Sequence, residues 1–158
     1  DPKGMNVKQE QLNRLSLQVQ TERGKRARAA LADQSDGWKS HLEGQAEVFS
    51  DQATMAAFVE KHGALCQEAW DKHGLVIAPP QDGKELDTAM MGQAITELSD
   101  LGEAFNVRGT FAKHGIFLTS PQEKDEPGAT GTIYGVYSTG TRTVTLSHDR
   151  ERPAECSP

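Results

Sequence analysis

The chain has little of what usually announces chemistry. Among its 158 residues there are two cysteines, Cys66 and Cys156, far apart in the chain. Such a pair reads as free thiols in a reducing compartment, not as a disulfide framework. Aromatic residues make up 6% and apolar residues 35%, which is lean for a dense core. No apolar run approaches the ~18 residues that a membrane helix needs, and no signal peptide is visible. Positive charge is also short. Residues 75–158 carry 7 Lys+Arg against 12 Asp+Glu, while residues 1–74 carry 10 against 11. Non-specific DNA binding requires a basic face that displaces counterions, so the second half is poorly suited to it.

Catalytic signatures are missing as well. Gly83-Lys84 lacks the upstream glycine and the following hydroxyl of a phosphate loop, and there is no HExxH or GxSxG. The five histidines are His41, His62, His73, His114 and His148. His148 closes a β-rich run, where a histidine can serve as a general base. No motif places a nucleophile beside it or beside His114. Tyr134 and Tyr137 would need a histidine-bound metal to act in DNA nicking, and no such cluster is present. Arg108 and Arg142 could meet an anion, although no glycine-rich nest lies next to either. His62, Cys66 and His73 would share a face on one unbroken helix, but Gly63 is expected to interrupt it. Structural zinc takes four ligands, and no CxxC pair exists. These absences predict no catalytic site, no metal site, no cofactor and no small-molecule substrate.

What is present begins with helices. Residues 6–32 carry Leu12, Leu15 and Val19 at helical spacing, resumed by Ala27, Ala30 and Leu31. Between them stand Arg23, Lys25, Arg26 and Arg28, which could touch phosphates. The plainer reading is a solvated face balanced by Glu22 and Asp33. Asp33 to Gly37 is a turn cluster. A second helix spans 38–49, with Trp38, Leu42, Ala46 and Phe49 on one stripe. Ser50 or Asp51 is placed to cap the next helix. Gly63 and then Gly74 are expected stops. Short loops between amphipathic helices imply a small antiparallel bundle.

The pivot is the stretch 74–84. Val76 and Ile77 look extended, but Pro79 and Pro80 cannot donate backbone hydrogen bonds and Asp82-Gly83 signals a turn. Beyond it, Asp87 is a plausible cap for a helix over 87–104 with an apolar stripe of Met90, Met91, Ala94, Ile95, Leu98 and Leu101. Residues 105–115 are either a short helix or an irregular link. Residues 116–119 read as a short buried strand, and 120–131 as a long loop. Two runs within 132–148 alternate β-branched and aromatic residues about a turn at Gly140, which is a hairpin signal. It is expected to join the 116–119 strand and cover the methionine-bearing helix. Gly135 would allow a bulge or a close approach.

The expected fold is therefore α+β. A helical subdomain over 5–74 is joined by a proline-rich connecting loop, 75–86, to a smaller α/β subdomain over 87–150 with the hairpin 132–148. A polar tail covers 151–158. Two compact units held at an angle by the loop are anticipated. Asp1-Pro2-Lys3-Gly4-Met5 and the polar end are consistent with a fragment of a longer protein.

This layout, with Ala78-Pro79-Pro80-Gln81-Asp82-Gly83 between a helical half and an α/β half ending in 134–148, resembles the C-terminal domain of the F-type conjugative relaxase-helicase family (TraI). The resemblance spans residues 5–158 and rests on segment order. The family's nicking tyrosines, metal-binding histidines and helicase phosphate loop lie far upstream and map onto no residue here. The resemblance implies a non-catalytic, cytoplasmic bacterial module that recruits relaxosome proteins at the plasmid transfer origin, with weak or no direct DNA binding and no membrane contact. Its parent would be a relaxase and an ATP-dependent DNA helicase. Pro79, Pro80, Gln81, Asp82 and Gly83 become the candidate interaction or hinge residues. The alternatives are an accessory DNA-binding domain using Arg23, Lys25, Arg26 and Arg28, or a small enzyme using a strand-end histidine.

Overall fold

The computed structural model describes residues 8–11, 22–45, 51–81, 83–123 and 129–150. Leu12, Leu15, Val19, Ala46, Phe49, Ser50, Asp82, Cys156, part of the 120–131 loop and the 151–158 tail therefore lie outside the described residues. The fold is α+β. Residues 8–11 and 22–30 are helical. A 3-10 turn, Leu31–Asp33, leads to α1, Gly37–Gly44. Then come α2, Gln52–His73; β1, Val76–Ile77; α3, Thr88–Asp100; and α4, Arg108–His114. The chain continues with β2, Phe117–Thr119; β3, Ala129–Ser138; and β4, Thr143–Arg150. A 3-10 turn, Glu103–Phe105, sits between α3 and α4.

Local signals account for the helix starts. The Asp51 carboxylate accepts the Thr54 N–H at 2.7 Å, and Asp87 accepts the Met90 N–H at 3.0 Å. Each satisfies an amide that has no partner within the helix. The expected stop at Gly63 does not occur: α2 runs through it to His73. Glycine inside a helix costs only ~1 kcal/mol. Burial of Met55, Phe58, Cys66, Ala69 and Trp70 along one face outweighs that. The helix ends at Gly74, whose φ of 66° is left-handed. A Cβ there would run into the Arg108 carbonyl oxygen and crowd Ala112, so the glycine also lets α4 dock.

The four strands form one sheet in the order β1-β2-β4-β3. β1, β2 and β4 are mutually parallel and β3 is antiparallel to β4. The strand at 76–77 forms despite the prolines because its ladder donors precede them. Val76 N–H bonds Ile116 O at 3.0 Å, and Ala78 N–H bonds Leu118 O at 2.9 Å. Pro79 and Pro80 follow the last of these donors on an edge strand, where proline is tolerated. The connection is then stitched onward by Asp87 N–H to Ser120 O at 2.9 Å and Gln122 N–H to Glu85 O at 2.7 Å.

One apolar cluster includes Trp38, Leu42, Cys66 and Trp70 from the first half and Met91, Ile95, Phe117 and Leu146 from the second. The described core does not divide at the proline stretch, so the anticipated pair of separate compact units gives way to one interior. The physical reason is the sheet: β1, next to α2, pairs with β2, and every residue of both strands is buried. The hairpin does join the 116–119 strand, as expected, through β4. β3 begins earlier than expected, at Ala129. The register shifts between Ala129 and Ile133, while Gly135 supplies a close approach: a Cβ there would lie 2.9 Å from Val144 Cγ1. Among the described residues, no helix is long and apolar enough to cross a membrane.

Candidate functional site

The α3 stripe is buried at its start and opens toward its end. Met90, Met91, Ala94 and Ile95 are in the core, Leu98 is half-buried, and Leu101 is 55% exposed. The hairpin was expected to cover this helix, but between the end of the stripe and the hairpin a space remains open. The gap is an open groove of about 550 Å³. Ala94, Glu97, Leu98 and Leu101 form one wall, with Phe111 of α4 beside them. Ile133, Gly135, Tyr137, Val144 and Leu146 form the other. The register places Gly135 opposite Leu146 and Tyr137 opposite Val144, so these residues share one sheet face. Tyr134 also reaches the groove and is 52% exposed. Among the described residues, Glu97 is the sole charged one lining it. The sequence marked each wall as apolar but carried no signal that the two would stand apart.

A smaller neighbouring cleft of about 270 Å³ contains His73, Ser99 and Arg108. His73 Nε2 lies 3.0 Å from Ile95 O and 3.3 Å from Ser99 Oγ. The carbonyl can only accept, so Nε2 carries the proton and has no lone pair with which to activate the serine. Ser99 itself donates to Ile95 O at 2.9 Å. The arrangement ties α2 to α3 and does not make a nucleophile. Arg108 donates Nε–H to the Trp70 and Asp71 carbonyls at 3.1 and 3.0 Å and lies over the Trp70 ring. Its charge is spent on the C-terminal end of α2.

The sequence-selected residues fall in different places. Pro79 and Pro80 are buried, while Gln81 and Gly83 are exposed, so the two prolines offer little surface to a partner and Gln81 and Gly83 remain accessible. Asp82 lies outside the described residues. Arg23, Lys25 and Arg26 are exposed, and Lys25 pairs with Glu22 at 3.7 Å. Arg28 is half-buried. His62, Cys66 and His73 do lie on one continuous helix, yet they face separate partners. His62 packs on Phe58 with ring centroids 4.9 Å apart, and His73 turns to α3. Cys66 is fully buried, its thiol pushed up to about 12 by burial. Among the described residues, no group of three or more His, Cys, Asp or Glu is placed to share a metal ion. His114 is exposed at the end of α4, and His148 Nδ1 is buried without a hydrogen-bond partner.

Compared with protein-family models, curated proteins and solved structures, the chain matches none.

Proposed function

We propose that this chain is a non-catalytic protein-interaction module of a multifunctional conjugative relaxase and DNA helicase, recruiting relaxosome components for plasmid DNA transfer in the bacterial cytoplasm. The observation that carries the interaction role is the open apolar groove between α3 and the hairpin. Its volume of about 550 Å³ would suit a small ligand. A mostly apolar lining with a few polar groups fits a small ligand and the apolar anchors of a protein alike, so the charge around it guides the choice. Here the polar groups are Glu97 and the hydroxyls of Tyr134 and Tyr137. Such a lining suits the apolar anchors of another protein. The occupant best matched is an amphipathic segment whose apolar side chains fill the groove and whose Lys or Arg flanks meet Glu97. The acidic surplus of residues 75–158, 7 Lys+Arg against 12 Asp+Glu, favours the same sign of partner. The relaxosome setting rests on the likeness in segment order described above.

Purified relaxosome proteins titrated calorimetrically against the chain test this reading. One of them is expected to bind, and Leu101→Lys and Tyr134→Ala are each expected to weaken it about tenfold or more, as for an anchor residue. Both side chains are about half exposed, so the thermal midpoint should barely move. Failure of every relaxosome protein to bind overturns the proposal. So does concentration-dependent self-association that both substitutions abolish, since the groove would then belong to a second copy.

A further inference from the structure

Strand β3 is an outer edge of the sheet: among the described residues it pairs with β4 on one side and with no strand on the other. Which of its backbone groups face outward follows from the ladder. Phe117 N–H bonds the Arg142 carbonyl at 2.8 Å, so the backbone groups of Arg142 and, by alternation, of Val144 and Leu146 face β2. Those of Thr143, Thr145 and Ser147 then face β3, where the register sets Ser138, Val136 and Tyr134 opposite them. The N–H and C=O groups of Ile133, Gly135 and Tyr137 are left pointing away from the sheet. The register shift lies between Ala129 and Ile133, so the pairing from Ile133 to Ser138 is regular.

Natural edge strands are blunted by charges, proline or bulges along their length. Residues 129–141 contain no Asp, Glu, Lys, Arg or Pro. Residues 134–138 are all exposed, so both faces of the strand stand in water at once. Half of the large apolar side chains exposed among the described residues, Tyr134, Val136 and Tyr137, lie here. An uncharged edge with aromatic and β-branched side chains favours the addition of another strand.

The order of residues selects the strand that fits. In Thr132-Ile-Tyr-Gly-Val-Tyr-Ser138 each half is the chemical counterpart of the other about Gly135. Antiparallel pairing of two copies with Gly135 opposite Gly135 sets Ile133 of one against Tyr137 of the other, Tyr134 against Val136, and Thr132 against Ser138. Aromatic against β-branched is a favourable cross-strand pair, and no like charges meet. Gly135 occupies an outward-facing position, so the two-fold axis coincides with a hydrogen-bonded pair, and the Ile133–Tyr137 pairs on either side are hydrogen-bonded as well. We propose that β3 is a self-association edge, at which two copies of this chain join antiparallel about Gly135 into one continuous sheet. The interface is isologous. Its area lies below the ~1,200 Å² of a stable complex, so the dimer forms where the chain is concentrated and dissociates on dilution. It uses the rim of the sheet, and Leu101 of the groove takes no part in it.

Sedimentation equilibrium of the whole chain, from low micromolar to near-millimolar concentration, tests this. A reversible monomer–dimer equilibrium is expected. Leu101→Lys should leave it unchanged, which separates it from pairing through the groove. The double variant Tyr134→Lys/Val136→Lys sets lysines opposite each other twice across the axis, and Tyr134→Glu/Val136→Glu does the same with carboxylates. Both side chains are exposed, so each variant should keep the urea midpoint of the monomer. Each should weaken dimerisation at least about tenfold. Mixed in equal amounts, the two variants should pair with each other, because Lys then faces Glu. In the unsubstituted chain, amide exchange at Ile133, Gly135 and Tyr137 should slow as concentration rises. A chain that stays monomeric at near-millimolar concentration overturns the self-association edge. So does a dimer that both double variants leave intact, or a mixture of the two that fails to pair. Exchange slowed at these three amides by a relaxosome protein, in a chain that stays monomeric, assigns the edge to that protein and overturns the second copy as its occupant.

Discussion

At the scale of single residues, His41 shows how placement sets chemistry. It is 4% exposed, packs against Trp70 at a centroid distance of 5.7 Å and faces Arg28 and Arg142. Burial is the main force holding its pKa below 6.5, the two arginines add to it, and the bond to the Ala112 carbonyl opposes it. A base whose folded pKa is depressed stays neutral in the folded protein while the unfolded chain takes up protons. Its stabilising effect is therefore full above the unfolded value and is lost as pH falls through the folded one. His62 is lowered in the same direction, chiefly by burial. Wild-type stability to urea is expected to drop between about pH 7.5 and about pH 5.5, within the range where histidines titrate. His41→Gln keeps a donor for Ala112 and does not titrate, so it should show a shallower drop, with the His62 share remaining. Equal slopes for the two proteins would refute the assignment. In the sequence, His41 was one histidine of five with no motif beside it, because a base acquires its environment from chain segments far away.

At the scale of elements, start signals proved more legible than stop signals. Asp87 caps its helix where it was expected, and of the two candidates Ser50 and Asp51 it is Asp51 that caps the other. Capping is a matter of neighbouring atoms, so sequence spacing suffices. Asp87→Ala should lower stability by ~1 kcal/mol, measured by denaturant unfolding, while Asp87→Asn should recover most of it. An unchanged midpoint in Asp87→Ala would show that the cap bond contributes nothing. Gly63 was misread as a stop because a glycine's local cost is small against the burial of a long apolar face. The α3 stripe was read as one core surface, whereas the structure buries its first turns and exposes Leu101. Periodicity identifies the apolar side of a helix and leaves open how far along its length a neighbour follows it.

At the scale of the whole molecule, the decisive feature is the parallel pairing of β1 with β2. It carries the proline stretch into the interior and merges the helical and α/β halves around one apolar cluster. A shared core predicts a single cooperative transition. Fluorescence of Trp38 and Trp70 reports the first half, and amide exchange in β4 reports the second. The two should give one midpoint in denaturant. Separated midpoints would show that the halves unfold independently and that the interior is divided after all.

Composition, periodicity and turn chemistry by themselves determined the mixed α+β class, the helix start at Asp87, the methionine-bearing helix and the hairpin. These features depend on neighbours within a few residues, whose contacts the order of side chains already implies. Tertiary structure alone decided that Pro79 and Pro80 are buried, that α3 parts from the hairpin to leave a groove, and that Arg28, His41 and Arg142 meet at Gly115. Each of these requires segments distant in the chain to be brought together. Such a meeting is chosen by the lowest-energy packing of the entire core, and no local pattern encodes it.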